Sequence, residues 1–251
     1  QRYSVAGPHL SRPSPQRTPV LFQAGSSAAG RAFAARNAEA QFILSSTPEK
    51  TAELIAATRD QVEAAGRARD DVRFFLGLAF VVGSTEEEAQ RRSAELDEWL
   101  SPDGFLVHSN LGFDPDTGER LDPDTPLSQV RTQTNQSHLQ WLQEAAGDRE
   151  PTIRDLAALS ARIRSRVVGT PEQIADRLEA WQDAGVDGIN VINWTIPGSF
   201  EEFVDHVVPV LRTRGLAEPH PETPGTLRSR IFGHAQLPAS HPARQWRGAF
   251  S

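Results

Sequence analysis

A chain of 251 residues, 38% hydrophobic and 24% charged, carries enough apolar sequence to bury a substantial core as one large domain or two small ones. A formal net charge of −7 and the lack of a Lys/Arg cluster exclude a nucleic-acid footprint, and no apolar run approaches the roughly 18 residues of a membrane span. Zero cysteines remove disulfides, thiolate catalysis and Cys-ligated zinc together, and agree with a cytoplasmic address.

Along the chain, residues 5–18 are rich in Pro, Ser and Arg and read as a loop. A short apolar run at 19–23 has strand length, a helix is expected over 28–38, and 41–44 reads as a second strand. Ser46-Thr47-Pro48-Glu49 opens a helix with a capping hydroxyl and Pro at its first position; it carries Leu54, Ile55 and Val62 and stops near Gly66. "RFFLGLAFVV", 73–82, is the strongest strand signal, with the near-absence of alternation expected when both faces are buried. Ser84 to Glu87 fits a capping box for a helix reaching Trp99.

Residues 103–127 are rich in Pro, Asp and Gly and too long for a plain connector, so 101–150 reads as an insertion. Two helices are expected at 129–146 and 152–164. Thr170-Pro171-Glu172-Gln173 is a second capping box, and its helix sets Ile174, Leu178 and Trp181 on one face. "VDGINVIN", 186–193, is the last strand, 199–214 the last large helix, and 215–251 a surface tail. Strand and helix alternate, which is the mark of parallel α/β construction: four strands in an open sheet or half of an eight-stranded barrel.

"QAGSSAAG", Gln23 to Gly30, lies where a strand passes directly into a helix. Three readings fit that turn. Ser26 or Ser27 caps the helix; the free N–H groups and hydroxyls bind an anion such as phosphate; or Ser27 is a nucleophile, with Asp187 and His206 following in the chain order of a hydrolase triad. Dinucleotide and P-loop glycine patterns are missing, and "DPDTGE", 114–119, begins like a calcium loop but places Gly118 one position early, so it reads as a turn. The seven His show no metal-ligand spacing. His138 lies in a polar-aromatic helical setting, and Asn193-Trp194 follows the last strand at the end where α/β proteins bind ligands.

The stretch "GPHLSRPSPQRTPVLFQAGSSAAGRAFAARNAEAQF", 7–42, resembles a segment of the bacterial-luciferase-like flavin monooxygenases. The resemblance is to the branch of the nitrilotriacetate, dibenzothiophene-sulfone and long-chain alkane monooxygenases. It continues in "VGTPEQIADRL", "AGVDGINV", "FVDHVVPVLRTRGL" and "TPGTLRSRIFG". The likeness implies a (β/α)8 barrel and reduced FMN supplied by a separate flavin reductase. It also implies insertion of one oxygen atom from O2 into a small organic substrate, in an enzyme that is a homo-oligomer when full length.

By position the resemblance assigns Gly25, Ser26 and Ser27 to the FMN phosphate, while the setting of the residues themselves offers His138 as the catalytic candidate and Asn193 and Trp194 on the substrate side. Because the match begins before the fifth barrel strand and the chain holds no Met, a C-terminal fragment is expected: four strands with covering helices over 1–214, then an extended tail. A serine hydrolase using Ser27, or a non-catalytic remnant, are the alternatives.

Overall fold

The computed structural model describes residues 11–25, 27–45, 47–109, 111–131, 149–156, 166–218 and 224–246. Ser26, His138 and most of the two helices expected over 129–146 and 152–164 therefore lie outside the described residues. The strands are β1 (Phe22–Ala24), β2 (Ala40–Ile43), β3 (Arg73–Val82), β4 (Arg166–Gly169) and β5 (Gly188–Ile192). The helices are α1 (Ala28–Asn37), α2 (Pro48–Ala64), α3 (Glu86–Glu98), α4 (Pro102–Ser109), α5 (Pro171–Asp183), α6 (Gly198–Glu202), α7 (Val208–Thr213) and α8 (Leu227–Phe232).

Every strand pair in this five-stranded sheet is parallel. Arg73 N–H bonds Glu39 O and Gly83 N–H bonds Gly169 O, whereas Asp187 N–H bonds Phe74 O. Residues of equal parity face the same edge of a strand, so β2 and β4 share one edge of β3 and β5 lies on the other. The sheet is thus four strands wide, β1-β2-β3-β5, with β4 set in line beyond β2. Sequence reading placed no strand at 166–169. β2 is four residues and β3 ten, which leaves the upper edge of β3 without partners, and the short strand "RVVG" supplies them.

Alternate residues of β3 build two different faces. Phe74, Leu76, Leu78, Phe80 and Val82 pack under the helices with Ile43, Ile55, Val62, Ile174, Trp181 and Val207. On the opposite face Phe75 stands 5.1 Å from Phe22, ring to ring. A Cβ on Gly77 would lie 2.8 Å from the Phe42 ring, and one on Gly188 would lie 2.6 Å from the Phe75 ring. Large and small residues thus alternate across the strands. On this face Gly77, Ala79 and Val81 are buried as well, as expected for β3, and exposure lies at its margin: Phe75 is half-buried, and Phe22 and Leu44 beside it are 45% and 53% exposed.

Helix starts follow the signals, with one shift. Thr47 Oγ1 accepts from Lys50 N–H with Pro48 at the first position, and Thr170 and Gln173 form the full capping box. In α3 the cap is Thr85, which accepts from Glu88 N–H, while the Glu88 carboxylate reaches back to Ser84 N–H. Three consecutive Glu, 86–88, leave the register of that box open to the chain alone. The expected 199–214 helix is interrupted by a π-turn at Phe203–Val207, where Val208 N–H bonds Phe203 O, five residues back. Pro209 has no N–H and its ring presses on the preceding turn, which the wider turn accommodates.

Residues 102–109, expected to be largely loop, instead form α4, begun by Ser101 Oγ accepting from Gly104 N–H at 2.9 Å. Leu106, Leu111, Leu127, Ile153 and Leu156 close a second small core, so the insertion packs on itself and on the segment that follows it. In "DPDTGE" the Asp114 carboxylate accepts from Asp116 and Thr117 N–H, and Gly118 takes φ +71°. It is a turn.

The segment after Gly215 was expected to stay on the surface, yet Arg228 of α8 is fully buried. Its guanidinium forms a two-pronged pair with Glu39 at 2.7 and 2.8 Å and also donates to the carbonyls of Gln16 and Pro19. The tail-derived cation thereby ties the N-terminal loop to the start of β2.

His241, 2% exposed, has Nε2 3.0 Å from Asn37 O and accepts from Ala243 N–H at Nδ1, which sets the neutral tautomer with its proton on Nε2. Burial first, and the Arg67 charge second, hold its pKa below the ordinary histidine value; the hydrogen bond to Asn37 O, and then the carboxylates of Glu39 and Asp71, oppose this without reversing it. The unfolded chain therefore binds this proton more readily. The stability held by neutral His241 is present above about pH 6.5 and is lost as pH falls from there towards the lower folded pKa. Thermal melts should show that loss, and His241→Gln should flatten it. An unchanged pH slope in the variant would remove His241 from the account.

Candidate functional site

The C-terminal end of β1 carries the turn. Ser27 has extended backbone geometry, and its Oγ accepts from Gly30 N–H at 3.2 Å. The first bond inside the helix is Arg31 N–H to Ser27 O at 2.9 Å. Ala28 and Ala29 N–H consequently have no acceptor within α1 and point out of its positive end. No acidic residue occupies the first turn of α1. Gly25 folds back onto Gly30: a Cβ on Gly30 would lie 2.8 Å from Gly25 O, inside contact distance. Any larger residue at 30 pushes the turn away from the helix.

These features fit a phosphate monoester. The Ser27 hydroxyl, already accepting from Gly30, retains its proton to donate outwards. Capping and anion binding are compatible here, so the cap does not dispose of the anion reading.

One residue of this turn was missed. Gln41 of β2 is fully buried, and its Nε2 donates to Gly25 O at 2.7 Å. The signal was a lone amide inside the otherwise apolar "AQFI".

The hydrolase constellation is not assembled. Asp187 accepts from Arg73 Nη1 at 2.8 Å and from Phe74 N–H at 2.9 Å. It precedes β5, three strand spacings from β1, which is roughly 14 Å at about 4.8 Å per spacing. His206 lies in the π-turn. The mismatch is topological: chain order said nothing about which strands are neighbours.

Trp194 stands just past β5, its backbone N–H donating to Ser199 Oγ at 3.2 Å while that hydroxyl donates to Thr195 O at 2.7 Å. With Phe80, Leu96 and Trp99 it lines a cleft of about 260 Å3 that also contains the Arg92–Glu202 ion pair. Arg166 stacks its guanidinium 4.2 Å from the Trp194 ring centre and is itself held by Ser93 Oγ at 2.7 Å. Asn193 is half-buried beside it. Turn and cleft lie towards the same end of the sheet but on its two outer strands, so sequence reasoning found both without bringing them together.

Residues 2–188 match the family model described as luciferase-like monooxygenase. The chain is 38% identical to the dimethyl-sulfide monooxygenase of Hyphomicrobium sulfonivorans over 99% of this chain and 52% of the relative. Among solved structures, DmoA from H. sulfonivorans superposes with a TM-score of 0.79 at 38% identity, covering 100% of this chain and 53% of that one. A riboflavin lyase, RcaE, crystallised with modified FMN and riboflavin, gives 0.79 at 36% identity over 93% and 52%. The chain spans about half the length of the relatives it matches.

Proposed function

This chain belongs to the luciferase-like monooxygenase family, and from that premise we propose that it serves the oxygenase component of a two-component, reduced-FMN-dependent monooxygenase. The observation that carries the proposal is the Ser27-capped, glycine-cradled start of α1 with no carboxylate in its first turn. Ser27 and its neighbours Gly25 and Ser26, with the open N–H groups of Ala28 and Ala29, would hold the FMN phosphate. When bound, reduced FMN supplies the electrons that activate O2, and a flavin reductase is the partner that delivers it.

The sheet is proposed as one side of a (β/α)8 barrel. Exposed apolar residues flanking both outer strands support this: Phe22 and Phe33 by β1, and Ile196, Phe200 and Val204 by β5. Asn193 and Trp194 are proposed on the substrate side, where the cleft's aromatic walls suit a small, largely apolar organic molecule. Among the described residues no helix is long and apolar enough to cross a membrane.

The test supplies FMN, a flavin reductase, NADH and 18O2 with a panel of sulfides, sulfones and alkanes. One labelled oxygen atom in the product, with no turnover when O2 or FMN is withheld, is expected. Turnover without O2 would reject the reading.

A further inference from the structure

Gln41 is an amide buried at 0% exposure in a strand that otherwise presents apolar residues. Its Nε2 satisfies Gly25 O, but its Oε1 is buried with no hydrogen-bond partner among the described residues. Gly25 O requires a donor, so the amide cannot be turned round to cure this. For stability alone the arrangement is poor. A leucine of similar size would forfeit one amide–carbonyl bond and abolish a stranded acceptor whose burial costs as much or more.

We propose that Gln41 is a positioning residue for the phosphate turn, pinning the Gly25 carbonyl so that the first N–H groups of α1 are presented in a fixed place. The inference rests on the reading of this turn as the FMN phosphate site. Gly25 O is the atom that a Cβ on Gly30 would strike at 2.8 Å, so it lies against the first turn of α1. Gly25 is only half-buried, and a carbonyl free to swing there would present the negative end of its dipole to an anion. Gln23, opposite Gln41 in the strand register, lies with its Nε2 3.5 Å from Ala24 O. Two amides thus flank the carbonyls of Ala24 and Gly25, where β1 ends and the turn begins. Preorganisation of this kind raises affinity without adding any contact to the ligand.

The experiment titrates FMN and riboflavin into the wild-type protein, Gln41→Leu, Gln41→Glu and Ser27→Asp, following flavin fluorescence, with a thermal melt of each. Gln41→Leu should weaken FMN binding by roughly tenfold, the worth of one well-placed bond, leave riboflavin binding unchanged and keep or raise the melting temperature. Gln41→Glu loses the donor when ionised and regains it when protonated. Its FMN affinity relative to Gln41→Leu should therefore recover as pH falls. If Gln41→Leu keeps FMN affinity while Ser27→Asp loses it, the positioning role is wrong and the phosphate reading stands. If FMN binding, riboflavin binding and melting temperature all fall together in Gln41→Leu, the residue is merely structural and the inference fails. If Ser27→Asp also keeps full FMN affinity, the phosphate reading itself falls.

Discussion

Replacing Arg228 with alanine should destabilise the fold by about 3–5 kcal/mol, the cost of leaving a buried charge without its partner. The carboxylate of Glu39, 3% exposed, would lose both prongs of its ion pair, and the carbonyls of Gln16 and Pro19 would lose their donors. Among the described residues Glu39 would retain only the hydrogen bond from Leu21 N–H, at 3.1 Å. The double variant Arg228→Met with Glu39→Leu removes both charges and should recover most of the loss, because a buried pair contributes far less than either orphan costs. Urea unfolding of the wild-type protein and the variants measures this. A double variant as unstable as the single one would mean that the cost comes from cavities and lost carbonyl contacts rather than from stranded charge. Since the pair anchors the lead-in to β1, Arg228→Ala should also weaken flavin binding at the turn.

Ser27→Asp should separate the capping role of this hydroxyl from the phosphate-binding role proposed for it. Asp is as good an N-cap as Ser, and its charge is favourable at the positive end of α1, so the melting temperature should hold or rise. FMN affinity should nevertheless drop by roughly a hundredfold or more. One charge-assisted bond of about 1.5–3 kcal/mol is lost, and a carboxylate stands where the phosphate would lie. Ser27→Ala should show the converse balance, losing about 1 kcal/mol of capping and roughly tenfold in affinity. Isothermal titration and differential scanning calorimetry on both variants decide the matter. Unchanged FMN affinity in Ser27→Asp would return the turn to plain capping.

How much was legible depended on the range of the interactions involved. Thr47-Pro48 and Thr170 with Gln173 act within one helical turn, and both appear where the local chemistry predicts. The run 73–82 became a strand with those same bounds, because the nine apolar residues after Arg73, with Phe and Val prominent, favour a buried strand over any competing local structure. The capping box of α3 slipped by one residue because Ser84 and Thr85 are equivalent hydroxyls followed by three equivalent carboxylates. α4 was hidden because the Pro/Asp/Gly content of the whole insertion masked a Ser-Pro start signal. The turn at Gly25 to Gly30 was legible as a place, since glycine and serine between strand and helix admit few geometries. Gln41 was not legible as part of it, because the bond to Gly25 spans 16 residues and depends on strand pairing.

By itself, then, the sequence determined the alternation of strands and helices, their caps, the small-residue turn after β1 and the family resemblance carried by 7–42. These follow from steric preferences and hydrogen bonds made within a few residues. Only the tertiary structure decided that Arg228 is interior, that β4 completes the free edge of β3, that Asp187 serves Arg73 and Phe74 rather than Ser27, and that Gln41 reaches Gly25. Each of those is a contact between distant segments. Its partner is chosen by which backbone groups and charges would otherwise be left unsatisfied once the sheet has formed, and that demand exists only in the folded chain.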